Sequence, residues 1–192
     1  PTLETEKVDY YSIAAGGDNT RKSLGWEVMG YYSFIQDAVA SDRVLLPGET
    51  DSVSQNRNIG EYQILGAMGL FYFRPTDKPF SGQLNYTYMS PYANDSTRIR
   101  VGDIAAHHVN LSANYRFGLK ALVGNLDLRG NYVSDRPVGA NTTQNSNPGL
   151  DNSGRYPAYL VFNGSISLGM KSFENLRIQF TVNNLLNRNI LD

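Results

Sequence analysis

The chain reads as an all-β protein, an antiparallel up-and-down β-barrel that crosses a membrane with its strands. Two observations carry that reading. Eight stretches alternate apolar and polar residues, and the links between them are short and long by turns. Strand side chains point to opposite faces with period two, so each stretch is a ribbon with one apolar and one polar face. Outer-membrane barrels join such ribbons by short periplasmic turns and long extracellular loops, whereas nothing imposes alternating link lengths on a soluble sandwich.

The pattern predicts strands at about 6–14, 24–34, 58–73, 81–90, 106–117, 122–134, 157–170 and 175–185. The last is the cleanest, with Leu176, Ile178, Phe180 and Val182 on one face and Arg177, Gln179, Thr181 and Asn183 on the other. In the second, Trp26, Val28, Gly30, Tyr32 and Phe34 alternate with Gly25, Glu27, Met29, Tyr31 and Ser33. The fourth sets Leu84, Tyr86 and Tyr88 against Gln83, Asn85 and Thr87. The fifth sets Val109, Leu111, Ala113, Tyr115 and Phe117 against His108, Asn110, Ser112, Asn114 and Arg116. The sixth sets Leu126, Leu128, Gly130 and Tyr132 against Asp127, Arg129 and Asn131. The seventh sets Leu160, Phe162, Gly164, Ile166 and Leu168 against Asn163, Ser165 and Ser167. The first and third are weaker, and near residues 66–69 neither face is clearly polar.

Residues 16–23, 74–80, 118–121 and 171–175 are short and rich in Gly, Pro, Asp or Asn, as hairpin turns require; Gly16-Gly17-Asp18 is read as turn. Residues 35–57, 90–105 and 135–156 are long, polar and unpatterned. Aromatic residues gather where membrane boundaries would fall. Trp26, Tyr72, Phe73, Phe80, Tyr115, Phe117 and Phe173 lie at the short-turn ends, and Tyr86, Tyr88, Tyr132, Tyr156 and Tyr159 toward the long-loop ends. Such rings suit an interface, being apolar at one end and hydrogen-bonding at the other, although strands favour aromatics in any setting.

Composition narrows the function classes. The 17 basic and 18 acidic side chains nearly balance, which gives no electrostatic case for nucleic acid. The absence of cysteine removes disulfide scaffolds and thiolate metal sites. The longest nearly apolar run, residues 66–73, is far short of the ~20 residues a membrane helix needs. The mean hydropathy of −0.38 is no argument against membrane insertion, because a barrel strand shows lipid only every second residue. With short turns periplasmic, the first strand runs inward and the eighth outward, leaving both ends of the chain outside. The last four residues, Asn189-Ile190-Leu191-Asp192, also lack an apolar, aromatic-terminated closing strand. The expectation is therefore a segment of a larger barrel, with strands before Pro1 and at least one after Asp192, and any signal peptide lying outside these residues.

Four segments carry a family resemblance. Residues 176–189 (LRIQFTVNNLLNRN) resemble the penultimate strand of TonB-dependent outer-membrane receptors, which runs into an Asn-Leu-Leu/Phe-Asn/Asp element. Residues 104–111 (IAAHHVNL) are similar to that family's Ile-Pro-x-His-x-x-Asn-Leu segment, with Ala105 where proline is usual. Residues 84–88 (LNYTY) resemble its Leu-x-Asn-Tyr-Thr-Tyr strand, and residues 26–39 its aromatic strand ending in Ile-x-Asp-x-Ile. The four stand in family order across nearly the whole chain. The resemblance implies that residues 1–192 are the carboxy-terminal portion, about eight strands, of a barrel of about 22 strands, without the plug domain, the TonB box or the closing strand. It also implies an outer-membrane transport receptor that binds a scarce nutrient (siderophore, haem, cobalamin or glycan) and imports it with TonB-derived energy. The expected partners are outer-membrane lipid, TonB through the missing plug, and a small-molecule or glycan cargo. The alternatives are a passive porin or small binding barrel, then a barrel enzyme, then a soluble sandwich.

No enzyme chemistry is expected and no cofactor. Ser residues are many, but no Gly-x-Ser-x-Gly elbow is present. His107 and His108 are the only histidines, and as strand neighbours they point to opposite faces, which argues against a shared metal. Asp127, Arg129, Asn131, Arg177 and Gln179 are candidates to face the barrel lumen, with Asp127 and Arg129 expected to pair and Asp135 and Arg136 to begin a loop. Asn141, Thr142, Thr143, Gln144 and Asn145 are candidates for a ligand vestibule, since neutral amides and hydroxyls suit sugars and chelates; a solvated loop is the other reading of that segment.

Overall fold

The computed structural model describes residues 3–19, 21, 23–45, 52–58, 60–93, 104–137 and 155–188. The eight expected ribbons form one antiparallel sheet in a plain meander. They are β1 (Lys7–Asp18), β2 (Leu24–Gln36), β5 (Tyr62–Phe73), β6 (Phe80–Ala93), β7 (His107–Gly118), β8 (Leu122–Val133), β11 (Tyr159–Met170) and β12 (Phe173–Val182), adjacent in that order. Two further hairpins rise from the long links: β3 (Val39–Leu45) with β4 (Ser52–Asn58), and β9 (Arg136–Pro137) with β10 (Arg155–Tyr156).

Register carries each face unbroken across the sheet, because residues directly opposite on paired strands share a face. One row runs Trp26, Phe71, Leu84, Leu111, Gly130, Phe162. A second runs Phe80, Tyr115, Leu126, Ile166, Phe180. This apolar face has no second layer over it among the described residues: Phe71, Leu111, Leu126 and Phe180 are 44–62% exposed. A sandwich would cover such a face with another sheet. The buried apolar residues, Ala38, Ala105, Ala106, Val133 and Val161, instead cluster toward the long-link ends of the strands.

The short turns are laced to one another. In the first, the Asn19 side-chain oxygen accepts from the amides of Ser23 (2.8 Å) and Leu24 (3.2 Å). The Arg74 amide donates to the Ser23 carbonyl at 2.7 Å, and the Lys171 amide to the Ala121 carbonyl at 2.9 Å, so neighbouring turns hold each other.

Several sequence expectations are corrected. Gly16-Gly17-Asp18 is strand, not turn: a side chain at Gly16 would place its Cβ 2.9 Å from the Trp26 carbonyl oxygen, so glycine permits the close pairing. The 58–73 run is broken by Gly60, whose φ of +111° suits glycine, and β5 starts only at Tyr62. Residues 35–57 contain an arm, tied at its base by Asn58, which donates to the carbonyls of Glu4 (3.1 Å) and Asp37 and accepts from the Glu4 amide (2.9 Å). After Val182 the chain leaves the ladder. Asn184 and Asn187 take left-handed φ values of 54° and 48°, and the Asn184 side chain bonds both ways with the Arg188 backbone. The Leu185 amide caps the Phe162 carbonyl at 2.7 Å, which gives the Asn-Leu-Leu-Asn element a structural reason.

Candidate functional site

The second face of the sheet is where chemistry collects. From β6 to β12 its rows are Gln83, Ser112, Arg129, Asn163; then Ser81, Asn114, Asp127, Ser165, Thr181; then Arg116, Asn125, Ser167, Gln179. Asp127, Arg129, Asn131, Arg177 and Gln179 thus share one face. Asn141, Thr142, Thr143, Gln144 and Asn145 lie outside the described residues.

Asp127 is the centre of the hydrogen bonding. Asn114 Nδ2 donates to its Oδ1 at 2.7 Å and also to Asn125 Oδ1 at 2.7 Å, while Asn125 Nδ2 donates to Asp127 Oδ2. The expected Asp127–Arg129 pair does not form; Asn114 and Asn125, directly opposite or two residues along, reach the carboxylate first. A row nearer the long links repeats the amide pattern, with Asn131 Nδ2 donating to Asn110 Oδ1 at 2.6 Å. Arg74 donates to Gln83, and its guanidinium lies over the Tyr72 ring at 4.9 Å.

Hollows open on this face between β6 and β12, and another of about 400 Å³ lies over β1, β2 and β5 beside Asp18, Glu27 and Tyr72. The first, about 760 Å³, is lined by Lys78, Arg116, Asn125, Ser167, Lys171 and Arg177 among others. The second, about 480 Å³, adjoins it and shares Arg116, with Arg74, Gln83, Asn114, Asp127 and Arg129. The third, about 320 Å³, lies among Asp127, Arg129, Asn163, Gln179, Thr181 and Asn183. Neutral amides, hydroxyls and guanidiniums in open hollows can hold a polar solute by hydrogen bonds.

The sequence pattern carried Asn114, Arg116 and Asn125 on or beside the right face but not their partnership, which depends on register. Arg74 was missed because it stands in a turn. Asp135 and Arg136 do begin a link, yet that link opens with a short ladder, and Asp135 pairs with Arg155 at 2.6 Å. The histidines separate as expected: His107 shares a 2.8 Å hydrogen bond with the Tyr86 hydroxyl, while His108 stands opposite Thr87 on the other face.

With this geometry in hand, the chain matches the family model described as TonB dependent receptor-like, beta-barrel, over residues 1–185. It is similar in fold to the FrpB iron transporter from Neisseria meningitidis (F3-3 variant), at TM-score 0.67 and 15% identity over 97% of this chain and 28% of that one. It is likewise similar to the copper transporter OprC, at TM-score 0.70 and 15% identity over 97% of this chain and 26% of that one. The chain therefore spans about a quarter of the length of these transporters. None of the curated protein sequences compared with it matches.

Proposed function

This chain belongs to the TonB-dependent receptor β-barrel family, and from that premise we propose that it forms part of the wall of an active transport receptor in the bacterial outer membrane. The receptor takes up a scarce nutrient (a siderophore, haem, cobalamin or glycan) with energy delivered by TonB through a plug domain. The observation that carries the reading is the two-faced sheet: one face apolar and bare across eight strands, the other polar and hollowed from β6 to β12. The bare face meets lipid, and the face bearing Asp127, Arg129, Asn131, Arg177 and Gln179 meets the lumen. Asn141, Thr142, Thr143, Gln144 and Asn145 belong to an extracellular loop that contributes to a ligand vestibule, since loops on a rigid scaffold carry recognition.

Cysteines introduced singly at Ser41, Asp95 and Asn145 of the full-length protein should react with an impermeant thiol reagent on intact cells. Cysteines at Asp77 and Ser172 should react only after the outer membrane is breached. Deleting residues 142–149 should weaken uptake while leaving barrel assembly intact. Labelling of both sets on intact cells overturns the orientation, and uptake that persists without TonB favours a passive pore.

A further inference from the structure

The short-turn end of the polar face gathers more positive charge than it neutralises. Arg116 and Arg177, on β7 and β12, line the 760 Å³ hollow together with Lys78 and Lys171 from the turns. The floor between them is small or neutral: Arg116 stands opposite Asn125, Asn125 opposite Ser167, and Arg177 opposite Gly169. Among the described side chains the lining carries one carboxylate, Asp77, and a second, Asp127, lies on the adjoining hollow. Asp77 lies 4.0 Å from Lys78 in the exposed turn, and Asp127 already accepts from Asn114 and Asn125 on both oxygens. Among the described residues Arg116, Arg129, Lys171 and Arg177 have no ion pair. Cationic side chains lining one hollow raise the local potential and draw anions, and a guanidinium's fork geometry matches carboxylate or phosphate with two parallel hydrogen bonds.

We propose that this hollow binds a polyanionic small molecule, with Arg116 and Arg177 each clasping a carboxylate or phosphate group. Lys171 adds charge from its turn, and Asn125 and Ser167 offer neutral hydrogen bonds. The inference rests on the transport reading and deepens it, giving the chemistry of the cargo group that the wall accepts at its short-turn end.

The test is titration of inorganic pyrophosphate into the full-length receptor in zwitterionic detergent, followed by phosphorus NMR. Wild type and a control, Arg21→Gln in the first turn, should bind alike, and more weakly as salt rises. Arg116→Gln/Arg177→Gln should weaken binding by about tenfold or more, because both charge-assisted clasps are lost. Arg116→Lys/Arg177→Lys should lose less, since the charges stay while the forks go. Heat-modifiable gel migration checks that each variant is folded. Equal affinity of wild type and the double Gln variant overturns the site. So does no binding by wild type at low salt, which means another part of the full-length protein meets these charges. Because the titration involves no uptake, a receptor that imports cargo but ignores pyrophosphate fails this inference alone. One that binds pyrophosphate through these arginines but imports nothing fails the transport reading alone.

Discussion

Two halves of the sheet share one apolar face and differ on the other. From β6 to β12 the second face carries amides, hydroxyls and guanidiniums around Asp127. Across β1, β2 and β5 the same register places mostly apolar residues there, Tyr10, Ala14, Met29, Tyr31, Ile64, Met68 and Leu70, with Ser12, Asp18, Glu27 and Ser33 among them. A strand that is apolar on one face and polar on the other has one good register, since a slip of one residue exchanges the faces. A strand apolar on both sides lacks that guide. Its register is held by shape: Tyr31 lies across Gly66 and Tyr72 across Gly25, each ring directly opposite a glycine and occupying the space a Cβ would need. The polar half is held by side-chain hydrogen bonds such as Asn131 to Asn110. The sheet thus fixes its pairing by two different means.

The largest expected effects test whether the faces are distinct. Leu111→Arg, near the middle of β7 on the apolar face, should destabilise the protein in lipid by about 2–4 kcal/mol, and Ser112→Arg beside it by much less. In the other half Val28→Arg should match Leu111→Arg, while Met29→Arg should fall between Ser112→Arg and Leu111→Arg. Urea unfolding in vesicles reads all four. Equal losses for Leu111→Arg and Ser112→Arg would erase the two faces. If Met29→Arg proved as mild as Ser112→Arg, the halves would behave alike.

Next in size is the polar centre. Asp127→Ala leaves the Asn114 and Asn125 amides without their acceptor and should cost about 1–3 kcal/mol. Asp127→Asn keeps one acceptor oxygen and should cost less. Arg129→Ala should cost little, since it forms no ion pair with Asp127; a loss equal to that of Asp127→Ala would restore the pair expected from sequence.

How much of this was legible follows from what alternation encodes. It gave all eight long strands and their order along the chain. It did not give the arm of β3 and β4, because Ser52-Val53-Ser54-Gln55-Asn56-Arg57-Asn58 has no apolar face to betray a strand. That hairpin rests on backbone pairing and on the Asn58 tie to Glu4 and Asp37. Gly16 and Gly17 read as a turn because glycine usually marks one, yet here the missing side chain admits the Trp26 carbonyl. The partners of Asp127 were hidden for a different reason: a sequence gives the parity of Asn114 and Asn125 but not which strand residues come to stand opposite.

The smallest expected effect is the most specific to the shape-held half. Tyr31→Ala uncovers Gly66 and should cost about 1 kcal/mol, the scale of an aromatic cross-strand contact. Gly66→Ala should also destabilise, because its Cβ would run into the far end of the Tyr31 ring, which must turn away. Combined, the two changes should cost less than the sum of the singles. Without the ring the alanine methyl has room, and alanine loses less backbone freedom in a strand than glycine. A double-mutant cycle read by urea unfolding of the full-length protein measures that difference directly, and directly opposed residues should couple by about 0.5 kcal/mol or more. Strict additivity would mean that Tyr31 does not hold its place over Gly66, and the pairing of β2 with β5 would then need some other determinant. The same cycle on Asn131 and Asn110 should give coupling of the opposite origin, a lost hydrogen bond that no small side chain restores.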